Sequence, residues 1–211
     1  MTLPRVYPIL DTQSLEARAC DPETAARAWL DAGARILQFR HKRQWTRPVF
    51  ELAEQIAGVC REHGAVFVIN DRADMAKLVG AGLHVGQDDL APDDARRLLG
   101  VEALLGYSTH NPRQVDAAAA EPVNYVAFGP VFSTASKENP DPVVGLGDLH
   151  VCRTKWDRPL VAIGGITRQN VSAVFAAGAD SVAVIGDLLP ENCTSTNLRC
   201  RMEEWQQLTQ T

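Results

Sequence analysis

Eight short apolar runs recur along the chain, and most stop at a polar residue or a glycine. They are "RVYPILD" (5–11), "ARILQFR" (34–40), "VFVIND" (66–71), "LHVGQ" (83–87), "LLGYS" (104–108), "YVAFGPV" (125–131), "LVAIGG" (160–165) and "SVAVIG" (181–186). The runs are rich in β-branched residues, and several are continuous rather than alternating. That is the pattern of strands covered on both faces in a parallel sheet. Helical patterns lie between them. "DPETAARAWLDAGA" opens with Asp21 as N-cap and Pro22 at the first helical position, then closes at Gly33. In the next interval Val49, Leu52, Ile56, Val59 and Cys60 fall at helical spacing before Gly64. "NPRQVDAAAAEP" repeats the Asn-Pro opening, and Val171, Val174 and Phe175 align before Gly178. The final helix is expected to place Leu198, Met202, Trp205 and Leu208 on one face. No linker or low-complexity stretch divides residues 1–211. The expectation is one α/β domain, a closed (β/α)8 TIM barrel, with an open doubly wound sheet as the alternative.

A barrel places all strand C-terminal ends on one face, where barrel enzymes carry their active sites. The strand-end residues are therefore the candidates for chemistry. Bulk properties narrow the ligand class. A net charge of -5 gives no general footprint for nucleic acid or an anionic membrane, although a local cationic cluster could still hold a small phosphorylated ligand. The five cysteines show no CxxC spacing, which points to scattered structural thiols in a reducing compartment. The start "MTLPRVYPIL" lacks the apolar segment of a signal peptide, and no stretch reaches transmembrane length. A cytoplasmic protein is expected.

"QFRHKR" (38–43) sets Gln38, Arg40 and Lys42 at every second position, so an extended segment sends all three to one face. Two cations beside an amide suit a diphosphate, since Arg offers a planar fork and Lys a mobile point charge. A solvated basic loop is the plain alternative. Asp71 and Asp89 end the third run and follow the fourth. On adjacent strands their carboxylates would approach each other and, with phosphate oxygens and water, suit Mg²⁺. Taken singly, each also reads as a helix cap. Asp88, Asp93 and Asp94 decorate the helix that starts near Pro92. "GYSTHN" (106–111) offers Ser108 and His110 without the GxSxG elbow of a serine hydrolase. A lone histidine is commonly structural, though its titration range suits acid–base work. The long polar stretch "GPVFSTASKENPDPVVG" (129–145) supplies Thr134, Ser136 and Lys137, and has the length of a binding segment or lid. Glycines at "AIGGIT" (162–167) and "VIGD" (184–187) sit where barrels often cradle a phosphate on backbone N–H groups.

Six of these segments in this order, "QFRHK", "INDRAD", "HVGQDD", "GYSTHN", "FGPVFSTASK" and "VAIGGIT", resemble the thiamine-phosphate synthase family over nearly the whole chain. That family joins 4-amino-2-methyl-5-hydroxymethylpyrimidine diphosphate to a hydroxyethylthiazole phosphate, giving thiamine phosphate and pyrophosphate. The resemblance implies that Gln38, Arg40, Lys42, Asn70, Ser108 and Lys137 hold the pyrimidine diphosphate, with Arg40, Lys42 and Lys137 stabilising the departing pyrophosphate. It implies Asp71 and Asp89 as Mg²⁺ ligands, and Thr134, Ser136, Gly165, Ile185 and Gly186 as the thiazole-phosphate site. The partners implied are small molecules, and a homo-oligomer is left open. The chain departs from the family pattern after the last strand, where Gly186-Asp187 replaces the usual Ser-Ala, and in the "TASK" segment at Ala135 and Ser136. Two competing readings follow: a thiazole tautomerase of the same fold, using acid–base catalysis, and a non-catalytic ligand-binding barrel.

Overall fold

The computed structural model describes residues 2–134 and 141–209. Ser136 and Lys137 lie outside them. Eight parallel strands close on themselves in sequence order: β1 (Val6–Asp11), β2 (Ile36–Arg40), β3 (Val66–Asn70), β4 (Gly82–Val85), β5 (Leu105–Thr109), β6 (Tyr125–Phe128), β7 (Leu160–Ile163) and β8 (Ser181–Val184). Closure is made by β1 on β8, with Val6 opposite Val182 and Pro8 opposite Val184. The barrel is the (β/α)8 architecture expected from the repeat.

Helices α2 (Pro22–Asp31), α3 (Arg47–Glu62), α4 (Ala73–Val79), α5 (Pro92–Leu99), α6 (Pro112–Ala118), α7 (Gly145–Lys155), α8 (Val171–Ala176) and α9 (Ser195–Thr209) follow the strands, with a short extra helix, α1 (Thr12–Glu16), after β1. Their starts follow local chemistry. Asp21 caps α2 by accepting the Thr24 N–H at 2.8 Å, and Asn111 caps α6 by accepting that of Gln114 at 3.0 Å. Proline stands in the first turn of α2, α3, α5 and α6, where its missing N–H is harmless.

The period of two along each strand divides the core into shells. Val6, Leu10, Leu37, Phe39, Phe67, Ile69, Leu83, Val126 and Val182 face the helices in one apolar cluster. Tyr7, Ile9, Ile36, Val68, Tyr125, Ala127, Val161 and Ala183 pack inside the barrel in another. Toward the strand C-termini the inward positions turn polar: Asp11, Gln38, Asn70 and His84 are all buried. Two expected core positions differ. Val66, the first residue of β3, shares the inward parity of Val68 but lies at the barrel rim and is 40% exposed. Leu208 is 42% exposed and Thr209 is buried instead, since after Trp205 the 3.6-residue period returns to the core at the fourth residue.

Among the described residues all five cysteines are free. Burial pushes the Cys20, Cys60 and Cys152 thiols up to about 12, so these are packing groups rather than nucleophiles at neutral pH. No helix among the described residues is long and apolar enough to cross a membrane.

Candidate active site

A cavity of about 890 Å³ opens at the C-terminal ends of the strands. Gln38, Arg40, Lys42, Asn70, Asp71, Asp89, Ser108, Thr134, Gly165, Ile185 and Gly186 all line it. Residues spread from position 38 to position 186 thus converge on one space. Gln38 and Arg40 reach it as alternate, inward positions of β2, and Asn70, His84 and Ser108 do so from β3, β4 and β5.

Asp71 does not cap the following helix. The residue before α4 is Arg72, and it makes no side-chain cap hydrogen bond. Asp71 instead adopts a left-handed backbone with φ of 64°, a conformation that costs a non-glycine residue free energy. That turn breaks the alternation of β3, and the Lys42 Nζ donates to Asp71 Oδ2 at 2.5 Å. Asp89 bonds through Oδ2 to the Gly86 N–H at 2.7 Å, tying the loop after β4 rather than capping α5. Partial burial, and then contact with the Asp71 carboxyl, raise the Asp89 carboxyl above its ordinary range. Two carboxyls facing each other beside a cavity are a hard-oxygen donor pair held together against their own repulsion. Such a pair fits Mg²⁺, whose remaining ligands are usually water and substrate phosphate. Among the described residues no group of three or more His, Cys, Asp and Glu side chains is placed to hold a metal ion by itself.

Arg40 is held from beneath. Its Nη1 pairs with Asp11 Oδ2, and Asp11 is 2% exposed. The other Asp11 oxygen accepts from the Ser14 N–H at 2.9 Å and from the Ser14 hydroxyl at 2.7 Å, so one carboxylate both caps α1 and anchors the guanidinium. Asp11 escaped the sequence reading, although "ILD" closes the first run just as "IND" closes the third. Asn70 presents the opposite condition: its Nδ2 is buried with no hydrogen-bond partner among the described residues. A buried amide donor without an acceptor costs about 1–3 kcal/mol, so this position is built for a ligand acceptor or a water.

His84, Tyr7 and Tyr125 also line the cavity and were not singled out from sequence. The signal available was their parity: Tyr7, His84 and Tyr125 sit at inward positions of their strands, where small barrels otherwise place branched apolar residues.

His110 is anchored. Its Nδ1–H donates to the Gly129 carbonyl at 2.7 Å, and its backbone N–H donates to Gln114 Oε1 at 2.6 Å. The ring thus ties the β5 and β6 ends together. Gly164 and Gly165 are required by packing. With φ of 99° and 63°, a Cβ at Gly164 would lie 2.4 Å from Pro130 Cβ, and one at Gly165 2.4 Å from the Ser133 carbonyl oxygen. The segment after β6 is laid directly across them. Gly186, by contrast, has open space where a Cβ would stand. It begins a 3₁₀ turn, Gly186–Leu188, in which Asp187 is turned toward α9. Asp187 Oδ2 accepts from Arg168 Nε at 3.0 Å and from Trp205 Nε1 at 2.9 Å.

The sequence profile described as thiamine monophosphate synthase matches residues 6–188. A protein of Koribacter versatilis named thiamine-phosphate synthase is 45% identical over 192 residues, covering 90% of each chain. One of Gloeobacter violaceus with the same name is 43% identical over 157 residues, which are 74% of this chain and 46% of that longer protein. In three dimensions, thiamine phosphate pyrophosphorylase from Pyrococcus furiosus superposes with a TM-score of 0.84 at 28% identity, covering 97% of this chain and 95% of that one.

Proposed function

Since the chain belongs to the thiamine monophosphate synthase family, we propose that it joins a 4-amino-2-methyl-5-hydroxymethylpyrimidine diphosphate to a hydroxyethylthiazole phosphate and releases pyrophosphate. The observation that carries this reading is the convergence of Arg40, Lys42, Asn70, Asp71, Asp89 and Ser108 on one cavity. Two cations, an unpartnered amide donor and a paired carboxyl site form a receptor for a diphosphate ester that leaves as an anion.

In this reading the carbon–oxygen bond to the diphosphate breaks ahead of attack by the thiazole nitrogen on the ring methylene. The protein's work is then to favour ionisation, exclude water and align the partners. Arg40, fixed by Asp11, and Lys42 receive the charge that accumulates on the leaving group. Lys137 is assigned the same task from sequence alone. Asn70 donates to a diphosphate oxygen, while Gln38 and Ser108 orient the pyrimidine. Thr134, Gly165, Ile185 and Gly186, with Ser136 by sequence, hold the thiazole phosphate. Asp71 and Asp89 would hold Mg²⁺, which when bound neutralises diphosphate charge. Lys42 then shifts from Asp71 to the substrate, a small cost because the Lys42 side chain is 43% exposed and such pairs contribute about 0–1 kcal/mol.

The experiment is product formation. Purified protein given both substrates and Mg²⁺ should release pyrophosphate and form thiamine phosphate. Asp71→Asn should cut turnover severely while leaving the thermal melt cooperative. Folded protein that forms no thiamine phosphate would refute the synthase reading. Isomerisation of the thiazole phosphate without pyrophosphate release would favour the tautomerase, whose candidate base His110 is engaged with Gly129.

A further inference from the structure

Five polar side chains from five strands form one continuous hydrogen-bonded row through the barrel interior. Gln38 Nε2 on β2 donates to the Tyr7 hydroxyl on β1 at 3.2 Å, and Tyr7 meets the Tyr125 hydroxyl on β6 at 2.9 Å. Tyr125 meets His84 Nδ1 on β4 at 3.0 Å, and His84 Nε2 meets the Ser108 hydroxyl on β5 at 2.8 Å. Both tyrosines are fully buried, and burial raises both phenols, Tyr7 to about 12, so each carries its proton. The Tyr125 ring also stacks on His84, with centroids 5.6 Å apart.

The room for this row is made by a missing side chain. A Cβ at Gly106, on β5, would lie 2.1 Å from Tyr125 Cζ and 2.3 Å from its hydroxyl oxygen. Neither atom can retreat, because the ring is enclosed by the barrel. Glycine at an inward strand position is otherwise unfavourable, so here it makes space for the Tyr125 hydroxyl to reach His84.

Counting protons gives the row a direction. Each phenol has one proton and can donate once. With the Gln38 amide donating into Tyr7, the Tyr7 proton goes to Tyr125, and the Tyr125 proton goes to His84 Nδ1. His84 then carries its own proton on Nε2 and donates it to Ser108 Oγ. With Gln38 Nε2 facing Tyr7, a Tyr125 that donated to Tyr7 instead would leave the Tyr7 proton without a bonded acceptor inside an apolar shell, at a cost of about 1–3 kcal/mol. The Ser108 oxygen is thereby occupied as an acceptor, and its hydroxyl proton is left to point into the cavity. Gln38, at the other end, keeps its carbonyl oxygen as an acceptor.

We propose that Tyr125 and His84 are positioning residues that set the polarity of the site, so that Ser108 faces the ligand as a donor and Gln38 as an acceptor. A heterocycle bearing both a ring nitrogen acceptor and an exocyclic amine is the ligand class such a pair selects. This deepens the synthase reading and rests on it for the identity of the heterocycle. The row itself is a property of the protein without ligand.

Two measurements test it. Nitrogen-15 NMR of histidine-labelled, unliganded protein should show His84 as the Nε2–H tautomer, with Nδ1 as a bonded acceptor. The Nδ1–H tautomer would reverse the row and overturn the proposal, whatever the enzyme's activity. In Tyr125→Phe the ring and its packing stay while the Nδ1 donor is lost. The His84 tautomers should then mix, and kcat/KM for the pyrimidine substrate should fall about tenfold through KM, the worth of one misdirected hydrogen bond. Unchanged tautomer and unchanged KM in a folded Tyr125→Phe variant would refute the role of Tyr125. If that variant does not fold, the wild-type tautomer decides the matter. Inactivity of the wild-type enzyme would instead count against the synthase reading and leave the tautomer measurement standing.

Discussion

Replacing Asp11 tests the support beneath Arg40, and its cost can be worked from the structure. Asp11 is 2% exposed and the Arg40 side chain is 11% exposed, so the pair is largely removed from water. Breaking a buried pair by removing one partner typically costs about 3–5 kcal/mol, because the remaining charge is left uncompensated. The Arg40 head borders the cavity, where water can partly resolvate it, which places the pair's share at the low end, about 3 kcal/mol. Asp11 also caps α1 through the Ser14 N–H, a further loss of about 1 kcal/mol. Asp11→Ala should therefore lower stability by about 4 kcal/mol, and Asp11→Asn, which keeps the capping acceptor, by about 3 kcal/mol. Urea unfolding read by circular dichroism, with the m-value held, measures both. Against a total stability of about 5–15 kcal/mol, a loss of this size is unmistakable. A shift below about 1 kcal/mol for Asp11→Ala would show that Arg40 is not anchored by charge, and the reasoning would fail. Equal losses for Ala and Asn would remove the cap from the account.

Two further outcomes follow from the cavity rim. Asp187→Asn should cost about 1–2 kcal/mol in the same unfolding assay, because the carboxylate accepts from both Arg168 and Trp205, with little change in thiazole-phosphate affinity by calorimetry. A large affinity change at unaltered stability would instead place Asp187 in the phosphate site. For Asp89 the sign runs opposite to most carboxyls. Its raised value means the folded chain holds the proton more tightly than the unfolded one, so its contribution is full below the ordinary carboxylate range and is lost as pH rises through the raised value. Asp89→Asn should therefore flatten that decline in thermal melts without metal and raise the melting temperature at neutral pH. Added Mg²⁺ should stabilise the wild type but not the variant. Identical pH profiles would refute the carboxyl pairing.

The strand–helix repeat, the caps at Asp21 and Asn111 and the strand ends that carry the chemistry were legible in the chain, because each depends on neighbours a few residues away. The parity of Gln38 and Arg40 was legible for the same reason, since alternation is a local property of an extended backbone. Other features were not. Asp71 taken alone reads more readily as a helix cap, and only its left-handed backbone and the approach of Lys42 and Asp89 turn it toward the cavity. The paired glycines suggested a phosphate cradle, yet their first cause is the Pro130–Ser133 segment lying across them.

Asp11 under Arg40, and the row from Gln38 to Ser108, belong wholly to tertiary structure. Their members lie 29 residues apart in the first case and up to 118 apart in the second. Which inward side chains touch across a barrel is set by strand order, closure and stagger, and no local pattern encodes these. The sequence by itself determined the repeat, the shells and the kinds of group offered at the rim. The closed barrel decided which of those groups meet, and so where each proton and each charge is held.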